Sequence, residues 1–272
     1  MLLQGKRALI MGVANKRSIA WGIARAFHRE GATLAFTYQG ERLKENLDEL
    51  LGEIGGAGAY PTFQCDVTSD EEIGEAFAGL KERWGALDVL VHCLAFADRE
   101  DLTRPFSGIS RKGYALAMDI SAYSLIRCAG AARPLLEAAG GGSVFTLTYN
   151  AVDRVVPSYN VMAVAKAALE CEVRYLAAEL GAVNVRVNAI SAGPLRTLAA
   201  SAVKGLSGFR DAVAEVAPLR RNITQEDVGD VAVFLASDLA RAVTANTIFV
   251  DSGFHVMGVA GQLEVAKKTD GG

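Results

Sequence analysis

Seven short apolar runs punctuate this chain, at 7–12, 33–37, 59–65, 89–93, 143–148, 185–190 and 247–250, and the stretches between them carry helical periodicity. Strand alternating with helix is the pattern of a parallel sheet whose crossover helices cover both faces. The expected fold is therefore α/β, a Rossmann-like doubly wound parallel sheet with helices on both faces, in a single domain. Ala8-Leu-Ile-Met11 and Leu87-Asp-Val-Leu-Val-His92 are almost continuously hydrophobic, as strands covered on both faces are, and belong at the sheet centre. Gly140 to Gly142 mark a turn before the fifth strand. With 272 residues, 51% apolar and 22% charged, the chain can bury one full core. We expect that domain over 1–258, with a built-in substrate loop at about 195–210, followed by a small, polar tail at 259–272 that is disordered or packed on a neighbouring subunit.

Charge and cysteine usage narrow the function classes. A formal net charge of -3 provides no basic field to attract nucleic acid, and no run of apolar residues is long enough to span a bilayer. The opening Met1-Leu-Leu-Gln-Gly-Lys-Arg7 lacks the apolar core of a signal peptide and runs into the first strand, so the expected location is cytoplasmic. Four scattered cysteines without a CxxC pair, and three histidines, indicate neither a disulfide framework nor a metal site; buried free thiols are expected.

Directly after the first strand comes Gly12-Val-Ala-Asn-Lys-Arg-Ser18-Ile-Ala-Trp-Gly22, followed by an amphipathic helix. Gly12 permits a tight turn and close backbone approach, Ser18 can cap the helix and bind phosphate, and the helix N-terminus favours an anion. Gly22 would let the helix pack closely on the sheet. The segment does not match G-x-G-x-x-G, so its position after a strand, rather than its glycines, makes it a dinucleotide loop. After the second strand, Gln39-Gly40 occupies the point where such folds read the adenosine ribose. No cation there is aimed at a 2′-phosphate, which favours NADH over NADPH, with Arg42 the one nearby alternative phosphate ligand. Asp66, in Cys65-Asp-Val67, is open to two readings: partner of the adenine amino group, or cap of the next helix.

Tyr159 and Lys166 stand seven residues apart in a helical stretch. Seven residues turn a helix through about 700° and advance it about 10.5 Å, so both side chains share one face two turns apart. The commoner reductase spacing places Lys four residues after Tyr, but position 163 is Ala. The wider pair suits hydride delivery to the β-carbon of a conjugated thioester, where charge develops on an oxygen farther from the reacting carbon.

Taken together, GVANKRSIAWGIA, CDV, LTY followed ten residues later by YNVM(x)3K, and RVNAISAGP(x)RTLAA resemble the bacterial enoyl-acyl-carrier-protein reductases, a branch of the short-chain dehydrogenase/reductase superfamily. The resemblance runs from about Leu3 to Met257. It implies reduction of a trans-2-enoyl thioester carried on acyl carrier protein, in fatty-acid elongation, with NADH as cofactor, by a homotetramer. It also implies roles. Tyr159 would bond the thioester carbonyl, strengthened as a donor by a nearby cation; Lys166 would hold the nicotinamide ribose, and Tyr149 would be the second active-site tyrosine. Cofactor contacts would come from Gly12, Ser18, Ile19, Gln39, Asp66, Val67, Leu94, Lys166, Ala192, Gly193, Pro194, Leu195, Arg196, Thr197, Leu198 and Ala199. Ala97, Met162 and Phe209 would line the acyl channel, and the segment from Leu198 to Phe209 would form a lid.

Some segments depart from the family pattern. Cys93-Leu94-Ala95 replaces Ser-Ile-Gly or Ser-Ile-Ala, Asn150 to Asp153 replaces a Leu-Gly pair, and Ala242 and Ala245 stand where two glycines are usual. The competing functions are a short-chain dehydrogenase acting on a ketone or alcohol, which the spacing of Tyr159 and Lys166 disfavours, and a non-catalytic dinucleotide sensor, which the presence of both residues disfavours.

Overall fold

Each apolar run forms a strand, and each intervening stretch crosses over through at least one helix. In the computed structural model, residues 1–56, 58–195 and 206–258 are described, and for 206–209 the backbone alone. In chain order the elements are β1 Arg7–Met11, α1 Ile19–Arg29, β2 Thr33–Tyr38, α2 Glu41–Ile54, β3 Thr62–Gln64, α3 Asp70–Trp84 and β4 Val89–His92. They continue with α4 Arg99–Thr103, α5 Arg111–Met118, α6 Ser124–Ala138, β5 Gly142–Thr148, α7 Asn160–Leu180, β6 Val185–Ala192, α8 Leu206–Val216, α9 Gln225–Ala236 and β7 Thr247–Val250. All pairings are parallel, in the order β3-β2-β1-β4-β5-β6-β7. The expected doubly wound sheet is therefore present, with β4 at its centre and β1 beside it. β3 is shorter than its apolar run, because the residues before it are spent on a turn containing Gly56 and Gly58 at positive φ.

Two apolar layers sandwich the sheet. One packs α1 and α9, through Trp21, Ile23, Phe27, Val228 and Leu235, against Ile10, Phe36 and Phe145; the other packs α3, α6 and α7, through Phe77, Leu125, Leu169 and Val173, against Leu9, Leu90 and Val187. Residues alternating along β1, Leu9 and Ile10, thus face opposite layers, as the period of a strand requires.

Local signals set the helix ends. Ser69 caps α3 by accepting from the Glu72 N–H, and Gly85 closes the helix in the left-handed region. Thr224 and Asp227 form a reciprocal capping box on α9. Gly22 behaves differently from expectation. A Cβ there would meet the Gln225 Cβ at 2.6 Å, so this glycine allows α1 to approach the start of α9 rather than the sheet.

Cys65 and Cys128 are buried, Cys93 is half-buried, and Cys171 is exposed on the outer side of α7, contrary to the expectation that all four are covered. All are free thiols. Among the described residues no helix is long and apolar enough to cross a membrane, and no group of three or more His, Cys, Asp and Glu could hold a metal ion.

Candidate active site

The strand order reverses between β1 and β4, and open α/β sheets bind ligands outside the carboxyl ends of their strands at such a point. Gly12 sits there at φ 91°, and a Cβ on it would lie 2.1 Å from the Cys93 carbonyl oxygen at the end of β4. Both facts require glycine. Ser18 precedes α1 as expected, but its hydroxyl does not cap the helix. It accepts the N–H groups of Ala14 and Asn15 at 3.1 and 3.0 Å, closing the loop on itself and keeping the hydroxyl proton free to donate to a phosphate. The Gln225 carboxamide of α9 donates to the Ser18 and Lys16 carbonyls and holds the loop from behind. The cradle fits a dinucleotide pyrophosphate: free donors, a helix N-terminus and a glycine with backbone against it.

At the adenosine end, the exposed Gln39 carboxamide donates to Asp66 Oδ2 at 2.7 Å. Asp66 Oδ1 accepts from the Thr68 N–H and hydroxyl. Burial pushes the Asp66 carboxyl up, but the Thr68 and Gln39 hydrogen bonds outweigh it and hold the group below the usual carboxylate range. Gln39 is left presenting its oxygen beside an ionised carboxylate, acceptors that match ribose hydroxyls and oppose a 2′-phosphate. Of the two readings of Asp66, helix capping is the one that fails, because Ser69 is the cap. Val67 and Leu94 pack at the edge of the apolar layer near this groove, and Ile19 packs at the edge of the opposite layer.

Of the segment expected to bind cofactor at the end of β6, Ala192, Gly193, Pro194 and Leu195 are described, all buried. The Gly193 N–H donates to the Val250 carbonyl, and its Cα lies so close to Asp251 that an added Cβ would be 3.1 Å from the Asp251 Cα. Arg196, Thr197, Leu198 and Ala199 lie outside the described residues. So does the lid from Leu198 as far as Gly205; from Leu206 the backbone is the first turn of α8, and the side chain of Phe209 is not described.

Tyr149 ends β5 and Tyr159 precedes α7, and the two rings meet with centroids 4.9 Å apart, tilted by 57°. Tyr159 also packs on a small apolar cluster of Leu102, Ala117, Val161 and Met162, together with Ala97 and Ile109. The structure therefore brings Ala97, Met162 and both tyrosines to one place. Burial raises Tyr159 above the ordinary phenol value, with Tyr149 adding to it; burial raises Tyr149 too, with Asp251 adding to it. Both phenols are protonated donors at neutral pH. Tyr159 stands just ahead of α7 with Asn160 at φ 37° after it, so the continuous helical stretch expected from Tyr159 to Lys166 begins only at Asn160.

Lys166 is buried, and its ammonium donates to the Leu147 carbonyl at 2.7 Å. Burial lowers it to about 8, with Cys93 and Glu170 drawing it back up. One of its three N–H groups is committed to Leu147, leaving two for a pair of ribose hydroxyls. Under it lies a polar group that sequence reasoning passed over. His92, fully buried, bonds Thr146 Oγ1 at 3.0 Å and Ser124 Oγ at 2.8 Å, and burial followed by Lys166 lowers it to about 3, so it is neutral. Ser124 Oγ donates to the Ile120 carbonyl and so accepts from His92 Nε2–H, while Nδ1 accepts from Thr146. Ser124 reaches this position because 119–123 forms a π turn between α5 and α6. The same turn aims Ser121 Oγ at the Phe96 backbone and at Met162 Sδ. A histidine ending an apolar strand was the one signal in the sequence for this group; nothing there indicated the π turn.

A sequence model of the enoyl-(acyl carrier protein) reductase family matches residues 12–255. The chain is 51% identical over 260 residues to the NADH-dependent enoyl-acyl-carrier-protein reductase FabI of Nostoc sp., covering 94% of this chain and 99% of the relative. Among solved structures it is similar to the Bacillus cereus enoyl-acyl carrier protein reductase bound to NADP+ and an indole naphthyridinone, with TM-score 0.92 and 52% identity over 95% of this chain and 99% of that one. The reductase of Anaplasma phagocytophilum in complex with NAD gives TM-score 0.91 and 44% identity over 96% and 98%.

Proposed function

This chain belongs to the enoyl-(acyl carrier protein) reductase family, and from that membership we propose how its residues reduce the trans-2 double bond of an enoyl thioester carried on acyl carrier protein. When bound, NADH supplies the hydride. Gly12 and Ser18 with the start of α1 hold the pyrophosphate, Gln39 and Asp66 the adenosine, and Val67, Leu94, Ile19 and 192–199 flank the dinucleotide. Lys166 donates its two remaining N–H groups to the ribose next to the nicotinamide. Tyr159 donates its phenol O–H to the thioester oxygen, where negative charge develops as the β-carbon accepts hydride, and Tyr149 closes the same wall. A phenol held protonated by burial stabilises that oxygen without first losing its proton. Ala97 and Met162, with Phe209, form the apolar side along which the acyl chain lies.

One observation carries this assignment: Tyr159, just ahead of α7, opens onto the apolar cluster of Ala97 and Met162, while Lys166 on α7 is turned to the sheet at Leu147. The phenol thus addresses substrate and the ammonium addresses cofactor. We also propose that the domain spans 1–258, that the protein works as a homotetramer in the cytoplasm, and that 198–209 covers the occupied site. The test is turnover: purified protein should consume NADH when given a crotonyl or longer trans-2-enoyl thioester, with simple ketones and alcohols poor substrates. Robust ketone reduction without enoyl reduction contradicts the proposal.

A further inference from the structure

The residue after Tyr159 is Asn160, at φ 37°, and the residue before it is Ser158, at φ 63°. A non-glycine residue in the left-handed region is uncommon, and two of them bracketing one tyrosine means that the local chain does not hold this conformation by itself. Something outside the segment must fix it. Asn160 Nδ2 donates to the carbonyl of Arg104 at 2.8 Å and lies 3.3 Å from those of Asp101 and Leu102. These oxygens belong to the last turn and the C-cap of α4, where helical carbonyls lack partners of their own. The surroundings also settle which way the amide points, since the alternative would put its oxygen against three oxygens.

From this we infer that Asn160 is a positioning residue for the reaction: its amide clamps the end of α4 to the start of α7 and thereby sets both the Tyr159 phenol and the apolar wall it faces. This rests on the reading of Tyr159 as the donor to the thioester oxygen. The clamp joins two of the elements that carry the apolar cluster, α4 with Leu102 and α7 with Val161 and Met162. It is anchored in turn at α4. Asp101 is buried, accepts the Ser110 N–H and hydroxyl at 2.9 Å each, and pairs with Arg104 Nε at 3.2 Å. Tyr159 is therefore held from α4 and the start of α5 as well as from its own helix. Asparagine meets both demands, since it tolerates the left-handed region better than other residues with a side chain and offers two N–H groups to three acceptors.

Two substitutions separate positioning from mere folding. Asn160→Gly keeps the backbone free to adopt positive φ and removes only the clamp. Asn160→Asp keeps the shape but points a carboxylate at three carbonyl oxygens until it is protonated. With purified full-length protein, NADH and a trans-2-enoyl thioester, Asn160→Gly should lower kcat on the order of 10- to 100-fold, as displacement of a reacting group does, with the NADH dissociation constant changed less than about twofold. In a Tyr159→Phe background the same substitution should cost far less, because the phenol it positions is gone and only its hold on the apolar wall is left. Asn160→Asp should be slow at high pH, and its rate relative to wild type should recover as pH falls and the carboxyl gains a proton to donate. Wild-type kcat in Asn160→Gly, a full additional loss in the Tyr159→Phe background, or a flat Asn160→Asp profile equal to wild type overturns the inference. If Tyr159→Phe alone turns over at the wild-type rate, it is the reading of Tyr159 that has failed, and this inference falls with it.

Discussion

The covered Lys166 ammonium sits at about 8 instead of its ordinary 10.5, burial outweighing the pull of Cys93 and Glu170. The sign follows directly. Below about 8 the lysine carries its charge, and the charged form is the stronger donor to ribose hydroxyls and the one that attracts a pyrophosphate. Since kcat/KM reports the free enzyme, kcat/KM for NADH should fall as pH rises through about 8, and Lys166→Met should remove that limb while weakening NADH on the order of 10-fold or more, as loss of hydrogen bonds from a charged donor does. A pH-independent kcat/KM in the wild type, or an unchanged limb in Lys166→Met, contradicts the assignment. For folding the same shift acts in the opposite direction: buried charge burdens the native state below about 8, and that burden is relieved as pH climbs toward 10.5. Tyr159, by contrast, is held protonated by burial. Tyr159→Phe should lose turnover rather than NADH affinity, by about 2.7 to 4 kcal/mol if the donor acts alone and by less where Tyr149 substitutes for it. Steady-state turnover and NADH titration on that variant check both halves.

At the scale of elements, one departure from the family pattern has a physical consequence. Of the two alanines standing where glycines are usual, Ala245 lies at φ 59° in the turn before β7, and Ala242 is not among the residues at positive φ. Ala245 keeps the turn because its N–H bonds the Val187 carbonyl at 2.8 Å. Ala245→Gly should therefore stabilise the protein by about 0.5 to 1 kcal/mol, the left-handed penalty of a Cβ exceeding the added chain entropy of glycine, and Ala242→Gly should not. Urea unfolding of the two variants decides; equal midpoints would contradict the account. The same turn marks the limit of what could be read in advance. The strands were legible because they are periodic, and periodicity is a property of neighbouring residues; the helical count from Tyr159 to Lys166 was not, because Tyr159 precedes α7 and Asn160 breaks the helical geometry at φ 37°. The partner of Gly22 lies about two hundred positions away on α9, and the clamp from Asn160 reaches back to α4. Neither contact leaves a local pattern. Ser18 was recognised for its place and misjudged for its bond, since a serine before a helix can turn its hydroxyl either into the helix or back into the loop.

For the whole molecule, the arrangement follows from strand order. Placing β4 beside β1 puts Gly12 against Cys93, and placing β5 next to β4 carries Tyr149 to the same edge, where its ring meets Tyr159 just ahead of α7 and Lys166 on α7 donates to the Leu147 carbonyl of β5. Fold class was legible from the alternation of strand and helix, and the place of the glycine loop from the strand before it. The buried His92 with Thr146 and Ser124 was not, because it depends on a π turn that no composition signals. The central claim is that this edge directs hydride to the β-carbon of an enoyl thioester while Tyr159 stabilises charge on the carbonyl oxygen. It is tested most directly with NADH carrying deuterium at the transferable C4 position and a trans-2-enoyl thioester, reading the product by mass spectrometry and NMR. The account predicts a saturated acyl thioester with one deuterium on C3; deuterium on the carbonyl carbon, or a saturated product without deuterium, would contradict it.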